Sequence, residues 1–281
     1  MGSGYTFSIT PITDGAITVG ILSGVGRDVA GNNNLSASTL NLVADVIAPI
    51  IVEVTPVLML TRNNTPSYVF SSTETGTISY SGACTSATTT AIPGNNTITL
   101  SSLGDGVHAN CTIRVRDAAM NTSNVVTLTS FTIDTTVPTA TLQYTPNTST
   151  SGSVIVTLTG ASEVITITNN SGASTKTFAS NGTFTFLFSD LAGNTGSLLA
   201  TVSTIDTIAP VVTLSGASTV NIAFASVYTD AGARWTDVVD GSGTLTASGT
   251  LNTGVAGTYI LIYTKTDVAG NTGTGSRSVT V

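Results

Sequence analysis

Apolar and polar residues alternate along this chain in short runs. The segments AITVGIL (16–22), CTIRVR (111–116), TFTFLF (183–188) and TYILIYT (258–264) put an apolar side chain at nearly every second position. That is the period of a half-buried strand. A second strand-like run follows each of them: SASTLNLVA (36–44), NVVTLTSFTI (124–133), SLLATVSTI (197–205) and SRSVTV (276–281). No helical period of useful length occurs. Short strands with turn signals roughly every 8–12 residues predict an all-β protein built as sandwiches.

The turn between the two members of each pair is nearly the same phrase four times: DVAGN (28–32), DAAMN (117–121), DLAGN (190–194) and DVAGN (267–271). Glycine supplies positive φ there, asparagine tolerates the left-handed region, and aspartate accepts bonds from turn N–H groups. Met120 stands where the other copies have glycine. If that site is left-handed it costs about 1–2 kcal/mol, unless Asn121 takes the role instead. Three copies then run on to a second aspartate, Asp45, Asp134 or Asp206, four residues before a proline in DVIAP, DTTVP and DTIAP. Proline fixes φ and restricts its predecessor, so these segments read as linkers. The period, roughly seventy to ninety residues, is that of a whole small domain rather than a solenoid turn.

With phrase and linker placed, the chain resembles a tandem array of bacterial immunoglobulin-like domains. The pattern Y-x-F-x-I-T-P…D-G-x-I-T-V…D-x-A-G-N…A-P covers Tyr5 to Pro49, and N-G-T-F-T-F-x-F-x-D-x-A-G-N…I-D-x-x-A-P covers Asn181 to Pro210. The last unit is similar to the Ig-like module of some pesticidal crystal proteins and many bacterial surface proteins, through VYTDAGARWTDVVDGSG (227–243), GTYILIYTKTDVAGN (257–271) and the closing RSVTV. The resemblance implies tandem Ig-like β-sandwiches arranged as an elongated rod: a partial unit at 1–48, then units at 49–136, 137–208 and 209–281. The first holds only the later strands of a sandwich, so an incomplete sandwich, or a fragment of a longer array, is expected there. Such modules are grafted into many contexts, and the fold alone does not set function.

Charged residues make up 8% of the chain, and eight Lys+Arg oppose fifteen Asp+Glu for a net charge of −7. No basic stripe exists, which excludes a nucleic-acid partner. No apolar run approaches the ~18–20 residues of a membrane span. The N-terminal MGSGYTF is not a signal peptide, so an export signal would lie on a longer parent chain or have been removed. Cys84 shares strand parity with Ile78 and Tyr80, and Cys111 with Ile113 and Val115. Both point toward one core, as a disulfide within the 49–136 unit would require, and two buried thiols are the alternative. A disulfide implies an oxidising, extracytoplasmic compartment.

Seven of the fifteen acids are the repeat aspartates. In an Ig-like sandwich the turn lies at the end where the chain enters, which pairs Asp45 with Asp117, Asp134 with Asp190, and Asp206 with Asp267. Asp237 and Asp240 of DVVDG join the last pair. Converging carboxylates repel without a counter-ion, and Ca²⁺ accepts about six to eight oxygens in irregular geometry. Two readings stand: Ca²⁺ at one or more junctions, or aspartates that only cap their own turns. Asp230 is read as a turn residue. His108, the single histidine, lacks a nucleophile-elbow context, and without a His or Cys cluster zinc is excluded. Trp235, the single tryptophan, is read as core or half-buried edge rather than a sugar platform. The expected function is a non-enzymatic spacer, stalk or adhesin repeat of an exported bacterial cell-surface protein. Its partners would be neighbouring Ig-like domains and an unknown glycan or protein ligand. The alternative is a carbohydrate- or protein-binding accessory module of a larger secreted enzyme.

Overall fold

The computed structural model describes residues 6–281, so Tyr5 of the first pattern lies outside the described residues. The chain falls into two compact units divided between Thr136 and Val137. Both are all-β, built of small and mainly antiparallel sheets, as tandem Ig-like sandwiches require. Among the described residues the helical content is a single 3₁₀ turn, Asn170–Gly172.

The first unit opens with a two-stranded sheet. Gly15–Val19 pairs antiparallel with Leu40–Ala44, and Ile17 stands opposite Leu42 and Val19 opposite Leu40. Directly opposed residues share a face, so these four form one apolar face, on which Leu40 and Leu42 stay about half exposed.

The rest of the unit encloses one core within three sheets. Ile51–Thr55, Ser67–Ser72 and Gly94–Thr99 form the first. Val126–Thr127, Thr112–Arg116, Gly76–Ser81 and Thr90–Ala91 form the second, and Leu60–Thr61, Phe131–Ile133 and Gly106–His108 the third. Strand alternation fills the core. Tyr68 and Phe70 point inward from one sheet, and Ile78, Ile113 and Val115 from another. Each such side chain contributes about 1.5–3 kcal/mol by leaving water. Cys84 and Cys111 are buried and disulfide-bonded across a separation of 27 residues, which stabilises the unit by about 3.5 kcal/mol on the chain-entropy model.

The second unit holds two such arrangements. Thr141–Thr145, Val154–Thr159 and Thr175–Phe178 form one sheet, and Thr166–Ile167, Gly182–Ser189 and Thr195–Val202 another. Val154, Val156, Phe186, Phe188, Ala200 and Val202 meet between them. Further on, Val211–Leu214, Ala233–Asp237 and Gly241–Leu245 form a sheet, as do Thr219–Asn221, Thr272–Thr280 and Thr258–Thr266. Leu261, Tyr263 and Val279 are buried here beside Arg277.

A recurring feature not read from the pattern is a first strand that changes sheets. Ile51–Thr55 joins one sheet and Leu60–Thr61 runs parallel to Phe131–Ile133 in another. Val211–Leu214 and Thr219–Asn221 divide in the same way, and after Thr141–Thr145 the chain makes a parallel bridge from Thr150 to Ile205. Pro56, Pro146 and Gly216 sit at the three breaks, where a missing donor or a flexible backbone ends the first ladder.

Candidate functional site

The four corners share one hydrogen-bond pattern. The aspartate N donates to the asparagine carbonyl at 3.0–3.1 Å in every copy: Asp28 to Asn32, Asp117 to Asn121, Asp190 to Asn194 and Asp267 to Asn271. In return the asparagine N donates to the aspartate Oδ1, and its Nδ2 to Oδ2, at 2.7–2.9 Å. The five residues are thus closed by a side-chain bracket as well as a backbone bond. Asp28 is exposed, whereas Asp117, Asp190 and Asp267 are buried. The Asn32 bonds hold the Asp28 carboxyl below its ordinary pKa. At Asp117, Asp190 and Asp267 burial pushes the pKa up, but the asparagine and backbone N–H bonds outweigh it and the net shift is downward. Met120 adopts φ 79° beside Gly31 at 85°, Gly193 at 91° and Gly270 at 95°. The left-handed site therefore falls on methionine itself and is not passed to Asn121.

The corners also hold the incoming linkers. Asn121 Nδ2 donates to the Asp45 carbonyl at 3.2 Å, and Asn271 Nδ2 to the Asp206 carbonyl at 2.9 Å. Ser151 N donates to the Ala269 carbonyl at 3.0 Å, so the last corner touches the preceding sandwich as well. Two residues past the asparagine, Gly196 and Gly273 are pressed against the linker: an added Cβ would lie 2.6 Å from the Pro138 carbonyl oxygen and 1.8 Å from that of Pro210.

Each linker aspartate caps its own turn through Oδ1, which accepts from the N–H two residues on: Ile47 for Asp45, Thr136 for Asp134 and Ile208 for Asp206. Carboxylates converge around them. One oxygen from each of Asp45, Glu74 and Asp117 lies within 4.8 Å of the others in the first unit, and the same holds for Asp206, Asp237 and Asp267 in the second. Glu163 and Asp190 meet at that distance too. The expected pairs Asp45–Asp117 and Asp206–Asp267 are therefore side by side. Asp237 joins the latter, while Asp240 spends its Oδ2 on Val268 N at 2.7 Å.

Glu74 and Glu163 escaped the sequence reading, although a signal existed. Glu74, Glu163 and Asp237 follow their linker aspartates by 29, 29 and 31 residues. The Glu74 carboxyl is raised by burial and by the charges of Asp45, Asp117 and Asp14. Asp105 was also missed. It accepts from the N and Oγ1 of Thr135 and from Thr136 Oγ1, fastening the linker from another side.

The other candidates have structural work. His108 Nε2 pairs with the Gly104 carbonyl at 2.9 Å and its ring stacks on Phe131, so its partners are backbone and an apolar ring rather than a serine and an aspartate. Trp235 is half-buried, flanked by Gly243 and covered by Lys265 Nζ at 4.5 Å from the ring centroid. Asp230 does more than shape a turn. Its Oδ2 accepts from Gly232 N, but the carboxylate also pairs with buried Arg277 and accepts from Tyr263 and Tyr228. Burial pushes the Asp230 carboxyl up, and the Tyr263, Gly232, Arg277 and Tyr228 contacts more than reverse it.

Residues 212–281 match the family model described as bacterial surface protein, Ig-like domain. The last unit resembles the bacterial surface Ig-like module. The corner recurs in the remainder and its small antiparallel sheets recur from Ile51 to Val202, giving a tandem Ig-like arrangement. With the disulfide, this module places the chain in the extracellular or cell-surface space.

Comparison with curated proteins finds no match. Among solved structures the chain is similar to the protocadherin gammaB7 EC3-6 cis-dimer, at 12% identity and a TM-score of 0.34 over 96% of this chain and 85% of that one. It is similar to the tetra-tandem repeat in the extending region of a large adhesion protein, at 17% and 0.32 over 95% and 82%. A third likeness is to the M60 catalytic domain with the CBM51-1 and CBM51-2 domains of Clostridium perfringens ZmpB, at 11% and 0.23 over 82% and 39%. Scores this low carry no weight for function. No helix among the described residues is long and apolar enough to cross a membrane.

Proposed function

We propose that the chain is a non-catalytic structural segment of an exported bacterial cell-surface protein, acting as a spacer or adhesin repeat in which sandwiches at 49–136, 137–208 and 209–281 follow the partial unit at 1–48. The observation that carries this is the repeated corner, a bracketed Asp–Asn turn whose asparagine, at Asn121 and Asn271, reaches the backbone of the incoming linker. A chain selected to hold distance needs its joints fixed, and these bonds spend buried polar groups on the joint rather than on a cleft. The carboxylate clusters at the corners support a second element of the reading: Ca²⁺ neutralises converging repeat aspartates and stiffens the joints. Ca²⁺ suits such sites because it takes carboxylate and carbonyl oxygens in flexible geometry.

Limited proteolysis of the native chain, with Ca²⁺ and then with EGTA, tests both elements. The expected cuts fall in the linkers 45–49, 134–138 and 206–210, leave the sandwiches intact, and quicken when Ca²⁺ is removed. Early cuts inside the sandwiches would overturn the modular reading. Linker cuts at a rate indifferent to Ca²⁺ would remove the ion alone.

A further inference from the structure

The acid clusters differ in one respect that decides what they hold. Asp206 is only 7% exposed, and its Oδ2 is buried without a hydrogen-bond partner. Asp237 Oδ2 is likewise buried and unpartnered. Each carboxylate is aimed by bonds to its other oxygen. Asp206 Oδ1 accepts from Ile208 N at 3.0 Å, and Asp237 Oδ1 from Val239 N at 2.8 Å and Asp240 N at 2.9 Å. Asp267 completes the group, held by Asn271 through both oxygens. Among the described residues no lysine or arginine forms an ion pair with any of the three. Buried carboxylate oxygens without partners, in a cluster of three carboxylates, are unfavourable by both desolvation and repulsion, yet the three side chains are oriented by four backbone N–H groups.

We infer that Asp206, Asp237 and Asp267 form a single-ion site selective for Ca²⁺, joining the linker, the end of strand Ala233–Asp237 and the corner of the last sandwich. The inference rests on the proposed role of the corners as joints, and it names a joint built to take the ion. Three oxygens mutually within 4.8 Å fit around one cation whose Ca–O distances are about 2.3–2.6 Å. Mg²⁺ demands a tighter octahedron at about 2.0–2.1 Å and releases its water reluctantly, so two fixed carboxylate oxygens on separate elements suit it poorly. Asp240 acts as a positioning residue. Its bond to Val268 N holds the residue next to Asp267, and its carboxylate touches no ion.

Trp235 makes the site directly readable. It is the only tryptophan and lies two residues before Asp237 on the same strand, so it can transfer excitation to Tb³⁺ bound there and to no other tryptophan-adjacent site. The full chain titrated with Tb³⁺ should show tryptophan-sensitised emission that Ca²⁺ displaces and Mg²⁺ at equal concentration does not. Asp237→Asn and Asp206→Asn should each weaken Ca²⁺ binding by about tenfold or more, since affinity follows ligand charge. Asp240→Ala should weaken it by about tenfold through lost positioning, and Asp240→Asn, which keeps an acceptor for Val268 N, should restore it. Glu53→Gln, at an acid outside the three carboxylate clusters, should leave the signal unchanged. Circular dichroism of each variant separates ion loss from unfolding. Absent emission, emission indifferent to Asp237→Asn in a folded variant, or equal displacement by Mg²⁺ would overturn the assignment. None of these results would by itself disturb the proteolytic pattern on which the modular reading stands.

Discussion

Gly273 offers the most direct test of how a linker is seated. It lies in the strand Thr272–Thr280, is buried, and has an ordinary φ, so alanine there meets no backbone strain. The obstacle is distance alone: a Cβ would stand 1.8 Å from the Pro210 carbonyl oxygen and 2.9 Å from its carbon. Normal contact would require the linker to withdraw by about 1.5 Å or more. Overpacking of this kind costs about 1–3 kcal/mol. Withdrawal also pulls the Asp206 carbonyl from Asn271 Nδ2, now 2.9 Å away, at about 1 kcal/mol for the lost bond. Replacing glycine returns about 0.4–1 kcal/mol through the unfolded chain. The net expectation for Gly273→Ala is a loss of about 2–3 kcal/mol, which lowers the transition of a domain this size by about 10–20 °C. Trp235 fluorescence reports that transition because the sole tryptophan belongs to the same sandwich. Gly257→Ala is the control, since a Cβ there meets nothing within 4 Å and should be neutral or slightly stabilising. A Gly273→Ala variant that melts within a degree or two of the parent would refute the close seating of the linker.

Met120→Gly should stabilise the first unit by about 1 kcal/mol, because a 63%-exposed methionine at φ 79° loses little packing and sheds left-handed strain; denaturant melting checks it. Asp230→Ala should destabilise the last sandwich by about 3–5 kcal/mol, since it strands the buried Arg277 charge, readable in the same melt. Cys84→Ala with Cys111→Ala should lower stability of the first unit by about 3.5 kcal/mol and leave the Trp235 transition in place. The depressed Asp117, Asp190 and Asp267 carboxyls contribute stability in full above their unfolded pKa of about 3.9 and lose it as pH falls through their lower folded values. Acid melting should therefore begin below about pH 4, and Asp190→Asn should flatten the slope in that window.

The corners were legible because the sequence repeats them and their bonds are local: Asp28 with Asn32 needs only five residues. Hairpins around them were legible from alternation, though the strand expected over 124–133 divides into Val126–Thr127 and Phe131–Ile133. Strand parity aimed both cysteines at one core and left a disulfide or two buried thiols open; the bond itself is seen in the fold. What escaped depends on partners far apart in the chain. The sheet-changing strands Leu60–Thr61 and Thr219–Asn221 are too short to show a period. Arg277 and Asp230 meet across 47 residues, and nothing local marks Asp230 as more than a turn former. Glu74 and Glu163 are single acids in unrelated words, STETG and ASEVI, whose shared offset from the linkers matters only once the fold places that turn at the corner. Asp240 shows the converse: its type and position suit a ligand, but Val268 N claims it.

Pulling the full chain from its two ends with a single-molecule force probe tests the modular account most directly. The segments 137–208 and 209–281 should each unfold in a separate event releasing a contour length of about 25 nm. The segment 49–136 should release about 22 nm with its 27-residue disulfide loop closed and about 31 nm after reduction. One cooperative event for the whole chain, or events whose lengths ignore these boundaries and the reductant, would contradict it.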